Sequence, residues 1–278
     1  MCIRDRGKTK LSVELAKHFN GEIVSADSMQ IYSGMQIATA KPTKAEMDGV
    51  PHHMMGFLPP DKTYSVASYV NDASKCIADI HSRGMLPFIV GGTGLYVDSL
   101  LNNISFSDDK RDDEYCSKLR KIGEEDGTDR LLDMLSEFDP ESAQRLREGR
   151  NIKRIIRAIE FYKTTGKTIT EQIKESHNIP SPYSAVKLGL NCRDRQVLYD
   201  RINRRVDIML DEGLLEEAQR VINSELSYTS VKAIGYKELI PYFKGSKSLN
   251  DCVEKLKMET RRYAKRQITW FKRDTEIN

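Results

Sequence analysis

The sequence predicts an α/β protein whose parallel sheet is interrupted by a helical insertion. Two short apolar runs, Glu22–Ala26 and Leu86–Val90, alternate with segments of helical periodicity, which is the rhythm of β/α units. Each run ends in a turn made for chemistry, Asp27-Ser28-Met29-Gln30 in one case and Gly91-Gly92-Thr93-Gly94 in the other. Between them and the basic end of the chain, residues 107–180 hold few strand-like runs. The expected organisation is therefore residues 1–106 as the first part of the core, 107–180 as the insertion, and 181–278 as the second part with a basic C-terminal helix.

A chain of 278 residues and 31.8 kDa is long enough for this plan. No apolar stretch approaches membrane-spanning length, and the N-terminus lacks the apolar region of a secretory signal. Cys2, Cys76, Cys116, Cys192 and Cys252 are too far apart for a zinc ribbon and are expected as reduced thiols, in a cytoplasmic protein. The net charge of +3 conceals an asymmetry, because residues 151–278 carry 25 Lys+Arg against 17 Asp+Glu. A basic half points to a polyanionic partner, with nucleic acid first, although a solvated basic surface gives the same balance.

Taken in order, Gly7-Lys8-Thr9 looks like the end of a phosphate loop running into a helix, with Leu11, Leu15, Ala16 and Phe19 as its apolar stripe. The full pattern G-x-x-x-x-G-K-[ST] asks for glycine at position 2, where Cys2 stands, and only Met1 occupies the place of a preceding strand. The expectation is that a foreign leader replaces the native N-terminus. Glu22–Ala26 then delivers Asp27 just past the carboxyl end of a strand, where open α/β sheets bind ligands. Asp27 is the candidate base; with Ser28 it could instead only cap the next turn.

His52 and His53 face opposite ways on an extended segment, which favours structural hydrogen bonds over a shared metal. Ser65 caps a helix with Val66, Tyr69, Val70, Ala73, Ile77 and Ile80 on one side, ended by Arg83-Gly84. Leu86–Val90 has the continuous apolar character of a strand covered on both faces, and it delivers Thr93 in a glycine-rich turn suited to anionic oxygens. A structural glycine turn is the alternative.

In the insertion, helices are expected over Asp108–Asp126, over Thr128–Glu137, after Asp139-Pro140, and over Asn151–Glu160. In the last of these Ile152, Ile155, Ile156 and Ile159 pack inward, leaving Lys153, Arg154 and Arg157 for phosphates or for solvent. Val186, Leu188, Leu190 and Cys192 alternate as a return strand. Arg201 and Arg205 share a helix face, placed to clamp a diphosphate or to pair with Asp200 and Asp207. Thr260–Arg273 interleaves six basic residues with Tyr263, Trp270 and Phe271, the composition of an RNA-facing helix, with Trp270 and Phe271 favoured as core anchors.

The ordered set SADSMQIY with ATAKP, GVPHHM, GGTGLY, the basic helix from Asn151, the Arg201/Arg205 helix, IGYKE and AKRQITWF resembles the tRNA dimethylallyltransferase (tRNA isopentenyltransferase) family over nearly the whole chain. The resemblance implies a P-loop kinase-like core and transfer of a dimethylallyl group from its diphosphate to the exocyclic amine of the adenine 3′ of the anticodon. It implies Asp27 as base and Thr93 beside the bridging oxygen as catalytic residues. Gly7, Lys8 and Thr9 would bind the diphosphate with Arg201 and Arg205, and Mg²⁺ would sit at Thr9. It also implies tRNA contacts from Asp27, Ser28, Met29, Gln30 and the stretch Lys153, Arg154, Ile155, Ile156 and Arg157. A monomer is expected, with tRNA and dimethylallyl diphosphate as partners and no membrane. The alternatives are an adenine-nucleotide prenyltransferase, a small-molecule P-loop kinase and an inactive RNA-binding remnant. The altered phosphate loop leads to an expectation of weak activity or stability, which full transferase activity would contradict.

Overall fold

The computed structural model describes residues 7–102, 112–177, 180–227 and 230–278. The leader expected over residues 1–6, the 106/107 boundary and the first residues of the helix expected from Asp108 lie outside the described residues. The chain forms two compact units, Met1–Leu100 with Ala185–Asn278, and Leu101–Ser184.

The first unit begins with α1 (Lys8–His18), entered through Gly7 at φ 77°, a left-handed turn that glycine adopts without strain. Its buried face is Ser12, Val13 and Ala16. Leu11 and Leu15 are only half-buried and Phe19 is 54% exposed, so the stripe is rotated from the expected one. Val13 and Ala16 meet Ile23 and Val50, and that contact fixes the rotation. Next come β1 (Gly21–Ala26), α2 (Lys44–Met47), β2 (His52–His53), α3 (Val66–Ser82), β3 (Leu86–Gly91) and α4 (Gly94–Leu101). Ser65 caps α3 by accepting from the Ser68 amide at 3.0 Å, and Tyr69, Ala73, Ile77 and Ile80 are its buried residues.

Among the described residues the sheet is parallel in the order β2-β1-β3, with Ala26 opposite Gly91. β1 is buried along all but its first residue. β3 is not the doubly covered strand expected: Leu86 is exposed and the rest half-buried, with β3 at the edge of the sheet among the described residues. Nor is there a return strand over Val186–Cys192. Alternation alone supplies no ladder; Val186 and Leu188 stand 85% and 60% exposed, and the segment bonds instead to Asn278, through Gly189 N to Asn278 O at 2.8 Å and Asn278 N to Lys187 O at 3.1 Å.

The second unit contains α5 (Asp113–Glu125), α6 (Thr128–Ser136), α7 (Pro140–Arg147), α8 (Ile152–Thr165) and α9 (Ile169–His177). Asp112, Asp139 and Asn151 cap α5, α7 and α8 with their side chains. Leu119, Leu131, Leu132, Leu135, Ile155, Ile156 and Ile159 form the core of this unit.

The first unit resumes with α10 (Arg195–Asp211), α11 (Leu214–Ile222), a 3-10 turn at Ser230–Lys232, α12 (Ile240–Phe243) and α13 (Leu249–Phe271). Their apolar faces close over Ile31, Tyr32 and Met35, in the loop after β1. No helix among the described residues is long and apolar enough to cross a membrane.

At the start of β1, Glu22 ties the sheet to α3. Arg83 donates to both its oxygens, at 2.6 and 2.8 Å, and His53 Nε2 lies 2.6 Å from Oε2, while His52 bonds the Val50 carbonyl. Both histidines are thus structural. The Arg83 guanidinium holds the Glu22 carboxyl down at about 2, against burial and with help from His53. A depressed carboxyl contributes stability that is complete above its unfolded value and fades as pH falls towards the folded one. Urea midpoints should therefore drop between pH 5 and pH 2.5 in the wild type, and Glu22→Gln should lower the neutral-pH midpoint and flatten that drop.

Candidate active site

The site forms where β1 and β3 end side by side. A Cβ on Gly91 would stand 2.1 Å from the Ala26 carbonyl oxygen, so only glycine permits this approach. Thr93 N then donates to Ala26 O at 3.1 Å, the Ser28 amide donates to Thr93 Oγ1 at 3.0 Å, and Thr93 Oγ1 donates to Ser28 Oγ at 3.3 Å. Sequence positions 65 residues apart are thereby fused into one rim. Asp27, 6% exposed, accepts from the Met29 amide through Oδ1 at 3.0 Å and from Gln30 N at 3.4 Å. It does cap the turn.

Behind this rim the loop is braced from far along the chain. Gln30 is 1% exposed; it accepts from Ser25 Oγ and donates to the carbonyls of Thr39 and Ala40 at 3.2 and 3.1 Å. Its side chain is a buried cross-brace of the loop that carries Asp27. Glu217 of α11 accepts from the amides of Gln36, Ile37 and Ala38 at 2.8–3.0 Å and from the Tyr236 hydroxyl at 2.9 Å. Gln267 of α13 donates to Gly92 O at 2.6 Å, and Trp270 donates to Asp98 at 2.8 Å while its ring rests where a Cβ of Gly94 would be. Trp270 is thus an anchor for the glycine turn.

Lys8 and Thr9 form the first turn of α1, whose N-terminus offers backbone N–H groups to an anion. Arg201 is exposed on α10 and Arg205 half-buried, four residues on. Arg205 reaches Glu212 only at 3.5 Å, and its buried Nε has no hydrogen-bond partner among the described residues. Asp207 pairs with Lys257 and Asp200 accepts from Gln196. In the second unit Lys153 and Arg154 are exposed, and Arg157 bonds the buried Glu160. The side chains of Ile155 and Ile156, at 0% and 4% exposure, belong to the core of this unit.

Residues 30–274 match the family described as IPP transferase. The chain belongs to that family. It is 47% identical over 272 residues, 98% of this chain and 86% of the relative, to the tRNA dimethylallyltransferase of Halalkalibacterium halodurans. It is 49% identical over 271 residues, 96% and 85% of the two chains, to that of Caldanaerobacter subterraneus. Among solved structures it resembles the full-length tRNA isopentenylpyrophosphate transferase of Bacillus halodurans, with TM-score 0.71, 44% identity and coverage of 98% and 85%. A eukaryotic dimethylallyltransferase acting on tRNA aligns with TM-score 0.79, 31% identity and coverage of 96% and 67%. The IPP transferase reading and the P-loop-like α/β fold therefore stand, and the chain is a prenyl transferase rather than a kinase.

Gln267, Glu217 and Lys41 were not picked out as site-supporting residues by the sequence, although Gln267 and Lys41 lie within segments of the family pattern. Their partners are distant in sequence, so the motif marks the segment without the contact. Three substitutions probe this framework. Gly91→Ala should cost at least about 2 kcal/mol, measured by chemical unfolding, because backbone rather than a flexible side chain blocks the new methyl. Tyr236→Phe should cost about 2 kcal/mol through the bond to Glu217. Tyr69→Phe should change stability by under about 0.5 kcal/mol, since that buried hydroxyl has no partner among the described residues.

Proposed function

We propose that this protein transfers the dimethylallyl group from dimethylallyl diphosphate to the exocyclic amine of the adenine 3′-adjacent to the anticodon, in tRNAs reading U-initial codons. The observation that carries the reading is the fused rim of Asp27, Ser28 and Thr93 at the carboxyl ends of β1 and β3, in a chain matching tRNA dimethylallyltransferases over nearly its full length. The target base leaves its stack to reach the rim, as enzymes acting on a base require.

The amine nitrogen bonds to the allylic carbon as the carbon–oxygen bond to diphosphate breaks. The amine proton passes to Asp27, whose carboxylate the Met29 and Gln30 amides orient. Ser28 and Met29 flank the base. The Thr93 hydroxyl, oriented by Ser28, stands beside the bridging oxygen. Diphosphate leaves carrying the bonding electrons, held by the α1 amides around Gly7, by Lys8 and Thr9, and by Arg201 and Arg205. The orphaned Nε of Arg205 suits such an anion.

Mg²⁺ fits this site. Among the described residues no cluster of His, Cys, Asp or Glu would cage a metal, and Mg²⁺ is ordinarily held by one or two protein oxygens together with phosphates and water, here the Thr9 hydroxyl and the diphosphate. When bound it would neutralise charge developing on the leaving group. Lys153, Arg154 and Arg157 on α8 and the exposed Arg262, Lys265 and Arg266 on α13 are assigned to the RNA backbone. The protein is taken to act as a monomer, and in the cytoplasm, a compartment that keeps thiols such as Cys76, Cys116, Cys192 and Cys252 reduced.

Incubation with dimethylallyl diphosphate, Mg²⁺ and unmodified tRNA should yield dimethylallyladenosine, detected by nucleoside mass spectrometry. Asp27→Asn should lower kcat by at least about 100-fold while leaving tRNA retention nearly intact. ATP turnover without RNA, or tRNA binding without prenyl transfer, would contradict the reading.

A further inference from the structure

Thr93, whose hydroxyl is read above as standing beside the bridging oxygen, follows a peptide unit that is held at both of its polar ends. The Gly92 carbonyl accepts from Gln267 Nε2 at 2.6 Å, and the N–H of that same unit, the Thr93 amide, donates to Ala26 O at 3.1 Å. The carbonyl and the N–H of a planar trans peptide point in opposite directions, so the two bonds together fix its plane. That plane sets the direction from which the Thr93 side chain leaves the backbone. Gly92, with no Cβ, puts little steric restraint of its own on the rotation of this peptide.

The holding group is well secured. Gln267 is 7% exposed, on α13, 175 positions from its acceptor. One helical turn further on, the Trp270 ring lies 2.3 Å from where a Cβ of Gly94 would stand, and its indole N–H donates to Asp98 Oδ2 at 2.8 Å. The residues on both sides of Thr93 are thus seated against one helix. Beyond them the Thr93 hydroxyl accepts from the Ser28 amide at 3.0 Å and donates to Ser28 Oγ at 3.3 Å. A tilt of the Gly92–Thr93 peptide would carry the hydroxyl away from both.

We propose that Gln267 is a positioning residue for the transfer: by holding the Gly92 carbonyl it locks the Gly92–Thr93 peptide, and so keeps the Thr93 hydroxyl on Ser28 and at the leaving oxygen. This deepens the reading of Thr93 given above and rests on it. Gln267 acts through the peptide and not on the substrate, so its loss should lower the rate of the bound complex without weakening either substrate's hold.

The test is a double-mutant cycle on prenyl transfer, with kcat expressed per folded enzyme. Gln267→Met keeps the length of the side chain and removes the donor. It should lower kcat by about tenfold, with KM for dimethylallyl diphosphate and for tRNA within about twofold of the wild type. Thr93→Ala should lower kcat at least as far. Adding Gln267→Met to Thr93→Ala should then change kcat by less than about twofold, because two residues that act through one group do not lose independently.

Losses that multiply in the double variant would show that Gln267 does not act through Thr93. A Gln267→Met enzyme with the wild-type kcat, altered only in its urea midpoint or in KM, would make Gln267 structural. Either result overturns the proposal while leaving the transferase reading intact. A Thr93→Ala enzyme with the wild-type rate would remove the role of Thr93 and the proposal with it, and absence of transfer by the wild type would overturn the transferase reading itself. Should Gln267→Met not fold, Gln267→Asn, which keeps the amide but draws it back from the Gly92 carbonyl, runs the same cycle with the same outcomes.

Discussion

The contact on which the site depends is the approach of two strand ends, Gly91 against the Ala26 carbonyl. Parallel strands direct both of their following turns to one edge, but a side chain at Gly91 would hold those turns apart. With hydrogen there, Thr93 N reaches Ala26 O and the Ser28 amide reaches Thr93 Oγ1, and an acid-bearing turn and a glycine-rich turn become a single surface. The remaining polar architecture of the first unit keeps that surface from drifting. Gln30 ties the acid-bearing turn to Thr39 and Ala40, Glu217 holds the amides of Gln36–Ala38, and Gln267 holds the carbonyl of Gly92.

These braces share a chemistry. Each uses one side-chain group, itself buried, to satisfy backbone groups of an irregular loop that no helix or strand would satisfy. A loop so held has its ligand-facing atoms preorganised, which is what a reaction with a charged leaving group most needs from its protein. Unlike a surface ion pair, such a brace leaves a desolvated acceptor or donor behind when one partner is removed, and the loss is correspondingly large.

What was legible in the sequence was local. Ser65 announced its helix because a cap and its amide lie three residues apart, and Asp139-Pro140 marked the start of another. Asp27 and Thr93 stood out because each follows an apolar run that ends in a turn. The braces were not legible: Glu217 and Gln36 are separated by 181 residues, and nothing in either segment names the other. The partners of Gln30 were hidden for the same reason, since they are set by how the loop folds back. Alternation likewise describes what the faces of a strand would bury and is silent about a ladder partner, so Val186–Cys192 had the pattern without the strand and Leu86–Gly91 stands at an edge among the described residues. The apolar stripe of α1 was misplaced by part of a turn because Val13 and Ala16 answer to Ile23 and Val50.

The central claim is that one acidic side chain and one glycine-rich turn serve a single transfer. A crystal structure with a non-reactive dimethylallyl diphosphate analogue and an anticodon stem-loop RNA tests it most directly. The account places the diphosphate against the N-terminus of α1 and the amine of an extruded adenine within about 3 Å of an Asp27 oxygen. A purine bound elsewhere, or an Asp27 that touches only the amides of its own turn with both ligands present, would contradict it.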